Sequence, residues 1–299
     1  MQQFLLDITL WIAFFFVGII CTSIVSLNNN TVEKYLYFNQ SAYGDTYRRM
    51  QDFEQSQHID LITLGSSTCY RGINPSTFDS FGIHAFNLCS GMQTISGSNA
   101  TLEWSLKTKP KPKYLILDVY PEFWDNSPNE YFLDLATNHQ GSRNLNFFSL
   151  ILNSGNPHLL LVTFYHLLQN NFNPISFELQ NFGSEYYGTG FTFSKNPPHS
   201  AIPCDEARVQ LNDTELTSLL HVKRICFEND INLILLNPPQ LCEEVFERPE
   251  VMEGLPWIEG NDWPLAKVDT LYYDDHHLRG VGAELYSEWL AERVVALMD

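Results

Sequence analysis

At 299 residues, 44% of them apolar and 14% aromatic, the chain has material for one main domain with a sizeable core, and its composition is not disordered, fibrous or disulfide-dense. A formal charge of −18, from 35 Asp and Glu against 17 Lys and Arg, leaves no basic patch to neutralise a phosphate backbone, which excludes nucleic acid as a partner. It also argues against electrostatic docking on anionic lipid, though not against a buried hydrophobic anchor.

Such an anchor is expected at once. Residues 4–26, FLLDITLWIAFFFVGIICTSIVS, carry one charge, Asp7, and have the length of a bilayer span. No Lys or Arg precedes Lys34, so the basic n-region of a cleaved signal peptide is missing, and an uncleaved anchor over 1–28 is predicted. The positive-inside rule has only Lys34, Arg48 and Arg49 to count, all beyond the span; taken alone, they favour a cytoplasmic domain.

Residues 29–56 read as a polar connector followed by an amphipathic lead-in helix at 44–56. IDLITLGSS, HAFNL at 84–88, KYLILDV at 113–119 and INLILLNPP at 231–239 are short apolar runs of the kind that form buried parallel strands. Helical stretches at 93–108, 213–229, near 240–247 and at 281–297 alternate with them, in βαβ rhythm. The main domain is expected over 57–299, interrupted by an insertion or lid at about 121–210 that contains a helical pattern at 147–169. The expected fold class is α/β: a doubly wound, mainly parallel sheet flanked by helices, with one N-terminal transmembrane helix.

Of six cysteines, Cys21 lies in the anchor, which leaves an odd number: Cys69, Cys89, Cys204, Cys226 and Cys242. Cys226 reads as a buried helix residue. Cys69 and Cys89 each follow a predicted strand; two inert buried thiols are expected there, a disulfide being the alternative, and their spacing is not that of a zinc site.

In doubly wound sheets chemistry gathers at the carboxyl ends of the strands. GSS at 65–67, NLCSG at 87–91 and DDHH at 274–277 are expected at or near such ends. A serine hydroxyl needs a base to take its proton, a carboxylate to orient that base, and N–H donors for the oxyanion. Ser67, in a tight turn after Gly65, suits the nucleophile, while Asp274 and His277, three residues apart, suit the acid and base. His276 is the rival base; His277 is preferred because it stands three after Asp274 and because Leu278 can anchor it. Each motif alone is more often a turn, a cap or a surface cluster. The DDHH run lacks a third ligand motif, so no metal and no cofactor are expected.

Together, IDLITLGSSTCYRGINP, FNLCSGMQT and YYDDHHLRGVGAELYSEWLAERV resemble the first, second and fifth blocks of the SGNH (GDSL-type) hydrolases. The resemblance implies Ser67 as nucleophile and oxyanion donor, Gly91 as a second donor, and Asp274 and His277 as acid and base. The third block departs: LDVYPEFWDN replaces the usual Gly-x-Asn-Asp, so the third donor is open, with Asn87 or a backbone N–H as candidates. The span, the Gly-Ser-Ser motif with its Arg-Gly-Ile-Asn-Pro tail and a strand ending in Tyr-Pro-Glu-Phe look like anchored SGNH-like proteins that accompany membrane-bound O-acyltransferases.

That likeness implies a single-pass protein of the bacterial cytoplasmic membrane, its domain on the extracytoplasmic side, a polytopic acyltransferase partner, and an acyl-ester or envelope polysaccharide substrate. The expected activity is O-acyl transfer or ester hydrolysis. The alternatives are a non-catalytic subunit that assembles with the acyltransferase, or a general esterase or lipase. Tyr186, Tyr187, Phe191 and Phe193 either stack on sugar rings or pack the lid.

Overall fold

The computed structural model describes residues 2–27, 45–120, 131, 134, 184–198, 212–242 and 248–298, with the side chains of the first segment described at 7–18 and 21. The chain divides into two compact units, residues 1–40 with 132–179, and residues 41–131 with 180–299.

In the first unit, helix α1 (Gln2–Leu27) runs for 26 residues. Leu10, Trp11, Ile12, Phe14, Phe15 and Val17 are each more than half exposed along it. Among the described residues no helix is long and apolar enough to cross a membrane. The span expected over 4–26 includes residues beyond those with described side chains, so it stands on the sequence. The helical pattern at 147–169 and residues 243–247 of the expected short helix lie outside the described residues.

The second unit opens with helix α2 (Thr46–Gln55), then strand β1 (Leu61–Leu64), the short helix α3 (Ser67–Gly72) and a 3-10 turn over Pro75–Phe81. Strand β2 (Ala85–Asn87), helix α4 (Ile95–Thr108) and strand β3 (Tyr114–Asp118) follow. After the hairpin of β4 (Ser184–Gly188) and β5 (Phe191–Ser194) come helix α5 (Asp213–Glu228), strands β6 (Asn232–Asn237) and β7 (Trp257–Glu259), and helix α6 (Gly280–Met298).

Five strands make one sheet in the order β2-β1-β3-β6-β7, every pairing parallel. Counted by their place in the sheet, this is the 2-1-3-4-5 order of doubly wound folds, with its topological switch between β1 and β3. The apolar runs have the composition of strands buried on both faces, and alternation sorts their side chains. Leu61, Ile116, Ile234, Leu236 and Ile258 pack with Ala283, Tyr286, Leu290 and Val294 of α6. On α2, Phe53 meets Phe86 of β2 and Trp104 of α4, each at 5.2 Å between ring centres. The lead-in helix expected as part of the connector is therefore packed into the core of this unit.

Two elements differ from the sequence reading. Strand β7 has three residues and no apolar run to mark it; its backbone is drawn into extended form by pairing at the sheet edge with Leu235, Leu236 and Asn237. Within the expected insertion, the β4–β5 hairpin turns through Gly188, Thr189 and Gly190, all with positive φ. It docks on the carboxyl end of β2, where Asn87 N–H donates to the Thr189 carbonyl at 2.9 Å. Gly190 is required there, since a Cβ would lie 1.8 Å from the Asn87 carbonyl oxygen.

Candidate active site

Two strand-end loops meet a third loop at the switch point; DDHH, expected at or near a strand end, instead follows a 3-10 turn over Asp269–Leu271. After β1 the chain turns at Gly65, whose φ of +152° and closeness to Asp118 exclude a side chain: a Cβ would sit 2.3 Å from Asp118 Cβ. Ser66 then caps α3, its hydroxyl oxygen accepting from Thr68 N–H, and Ser67 is the first helical residue. In the loop after β2, Ser90 N–H donates to the Gly65 carbonyl at 3.0 Å, which brings Gly91 alongside the turn that carries Ser67. Before α6, residues 272–278 close on themselves through a bridge between the buried Tyr272 and Leu278.

That closed loop presents the acid and base. Asp274 Oδ1 accepts from the His277 and His276 N–H groups at 2.6 and 3.1 Å, and Asp274 Oδ2 lies 2.7 Å from His277 Nδ1. His277 Nε2 is 2.7 Å from Ser67 Oγ. The result is one unbroken hydrogen-bonded chain from carboxylate to imidazole to hydroxyl, with both faces of Asp274 spent on fixing the ring. His276 is occupied differently: its Nδ1 meets Asp275 Oδ1 at 2.7 Å and its ring stacks on Tyr120 at 5.3 Å.

The electrostatics suit proton transfer. Burial lowers the pKa of His277 to about 4 against the pull of Asp274, with the charges of His276 and Arg71 acting in the same direction as burial. The imidazole is thus a free base at neutral pH, able to accept from Ser67. Burial works to raise Asp274, but the hydrogen bond and charge of His277 outweigh it and hold the carboxyl at about 2. Asp274, His276 and His277 offer atoms within 4.8 Å of one another, the nearest approach to a metal site among the described residues. Those of Asp274 and His277 are directed at each other and at Ser67, and His276 Nδ1 at Asp275, so the arrangement is a proton relay rather than an open coordination sphere.

Of the expected oxyanion donors, Asn87 is otherwise committed. Its Nδ2 donates to the Cys69 and Ile73 carbonyls at 3.0 and 3.1 Å and its Oδ1 accepts from Cys89 N–H, so it holds α3 to β2 and has no hydrogen left to donate. The Ser67 and Gly91 N–H groups have no acceptor among the described residues. Cys69 and Cys89 are bonded as a disulfide, contrary to the expectation of two free thiols. Their Cα atoms lie 5.9 Å apart because the turns after β1 and β2 run side by side, a proximity that sequence spacing does not reveal. Cys242 is disulfide-bonded too, while Cys21 and the buried Cys226 are free.

Among the aromatic candidates, Phe191 is fully buried, and Tyr186 has its hydroxyl accepting from Gly190 N–H, so both serve packing. Phe193 packs where a Cβ on Gly280 would touch its ring. Tyr187 alone of the four is exposed, at 56%.

Two residues escaped the sequence reading. Asp118, at the end of β3, accepts from Thr68 Oγ1 at 2.6 Å, from Tyr120 N–H at 2.9 Å and from Ser66 Oγ at 3.4 Å, and burial raises its pKa to about 6. It braces the turn on both sides of Ser67; its signal was a lone acid ending an apolar strand. Arg71 lies four residues after Ser67, on the same side of α3.

No family model, no curated protein and no solved structure matches the chain.

Proposed function

We propose that this protein is a membrane-anchored serine acyltransferase or esterase of SGNH type, acting on cell-envelope polysaccharide through an acyl-serine intermediate. The observation that carries the reaction class is the Asp274–His277–Ser67 chain, 2.7 Å at each link. His277 Nε2 takes the hydroxyl proton as Ser67 Oγ attacks the acyl carbonyl. Negative charge on the tetrahedral oxygen is met by the N–H groups of Ser67 and Gly91. His277 passes the proton to the departing alkoxide, leaving acyl-serine; it then takes a proton from a sugar hydroxyl or water as that oxygen attacks the acyl carbon, and returns it to Ser67 Oγ as the Ser67–acyl bond breaks. Asp274 holds the imidazole and balances its transient charge.

Three features of different kinds support the extracytoplasmic, membrane-anchored location. The apolar run at 4–26, with its exposed Trp11, Phe14 and Phe15, suits a bilayer better than water. Disulfides persist in oxidising compartments, so the Cys69–Cys89 bond favours an extracytoplasmic domain over the orientation that the sparse cations favour. Likeness to anchored SGNH-like proteins adds a polytopic membrane-bound O-acyltransferase as partner and acyl source.

A second reading, a non-catalytic subunit that assembles with such an enzyme, is favoured by the missing Gly-x-Asn-Asp block and the committed Asn87. A fluorophosphonate probe applied to membranes containing the whole protein decides between them. Acyl chemistry requires labelling of the wild type that Ser67→Ala abolishes. No labelling, together with co-purification of a polytopic membrane enzyme, supports the second reading.

A further inference from the structure

Arg71 is the cation beside the nucleophile that the mechanism above does not use. Its Nε donates to Tyr70 Oη at 3.1 Å, and its guanidinium carbon is 5.1 Å from the Tyr70 ring centre and 5.5 Å from that of Tyr273. Tyr273 in turn stacks on His277, rings 5.3 Å apart and 6° from parallel. The guanidinium therefore stands one aromatic ring away from the catalytic imidazole.

Among the described residues it has no anion to pair with. Nη1 is buried without a hydrogen-bond partner, and among the described residues Arg71 makes no ion pair. Asp274 and Asp45 both feel its charge, but the Asp274 oxygens are taken by His277 and His276. Leaving a charged donor buried and unpaired is costly, and the planar fork of an Arg is shaped for two oxygens of one group. In a chain of net charge −18, a local cation is also what an anionic substrate needs in order to approach.

We propose that Arg71 is an oxyanion-binding subsite that recognises a carboxylate or phosphate on the acyl-bearing substrate, next to the ester that Ser67 attacks. The position of the ester rests on the acyl-transfer reading; the anion contact does not. A sugar acid and a polyol phosphate share the chemistry, and the test separates them.

Binding is measured by calorimetry with the full-length Ser67→Ala protein in detergent, which removes turnover from the question. The probes are methyl glucuronide, glycerol phosphate and the neutral methyl glucoside. The expected result is that at least one anion binds about tenfold to a hundredfold more tightly than the neutral sugar, as a charge-assisted bidentate contact allows. Which anion wins identifies the source. Adding Arg71→Met abolishes that discrimination, and Arg71→Lys, a point charge without the fork, keeps only part of it. Equal binding of charged and neutral probes overturns the proposal, as does discrimination that survives Arg71→Met. If Arg71→Met does not fold, undiminished discrimination in Arg71→Lys overturns it instead. Failure of Ser67 to react with a fluorophosphonate counts against the acyl-transfer reading alone.

Discussion

His277 sets the pH behaviour expected of the reaction. The base must be unprotonated to accept from Ser67, and burial lowers its pKa to about 4 from the usual 6.5. Activity is therefore expected to hold on acidification past pH 6.5 and to fall as pH drops through about 4, measured as the acid limb of kcat/KM on a short acyl ester. A limb near 6.5 would mean a solvated imidazole and a looser site. Asp118 makes a separate prediction about stability. Its folded pKa, about 6, lies above the ordinary 3.8, so the folded state binds the extra proton between those values and the group's contribution is lost as pH rises through 6. Asp118→Asn removes the titration. In urea unfolding, the wild type is expected to lose stability relative to this variant between pH 4 and pH 8, by roughly 3 kcal/mol at most. These two residues also mark the limits of reading a site from sequence. Asp274 and His277 were legible because three residues fix their relation within one turn, whereas Asp118 is tied to Ser66 and Thr68 by contacts that span 52 and 50 residues.

At the scale of elements, the disulfide joins α3, two residues beyond Ser67, to the loop two residues before Gly91. It ties the turn that carries Ser67 to the loop that carries Gly91, the proposed second oxyanion donor, by a covalent route. Closing a loop of this length, 20 residues apart in sequence, is worth about 3 kcal/mol in chain entropy. The Cys69→Ala/Cys89→Ala protein is expected to unfold at lower denaturant by about that amount and to react more slowly with a fluorophosphonate; an unchanged reaction rate would show that Asn87 suffices to hold the loops together. Four of the five sheet strands were readable as apolar runs, since strands buried on both faces leave a continuous signal. Strand β7 was not, because a three-residue edge strand preceded by Pro256 takes its form from its neighbour rather than from its own residues. The β4–β5 hairpin was seen only as part of an insertion: its docking depends on the backbone of Asn87, about a hundred residues earlier.

For the molecule as a whole, the anchor expected of residues 4–26 and the acidic domain make a sharp physical prediction. The full chain should stay with membranes through an alkaline carbonate wash, since a span is held by burial and not by charge. Release by carbonate or by salt would reduce α1 to a surface contact. The α/β architecture was legible from the alternation of strands and helices, and the strand order, which puts the switch point at Ser67, came only with the pairings themselves.

The Ser67–His277 contact spans 210 residues of sequence. Synthesis from the N-terminus therefore displays Ser67 well before His277 exists to meet it. On the proposed mechanism, Ser67 stays an ordinary alcohol until the loop at 272–278 closes and His277 can take its proton. Reactivity would then be a property of the finished fold, and labelling of Ser67 is expected only once the turn at Ser67 and the loop at 272–278 have met.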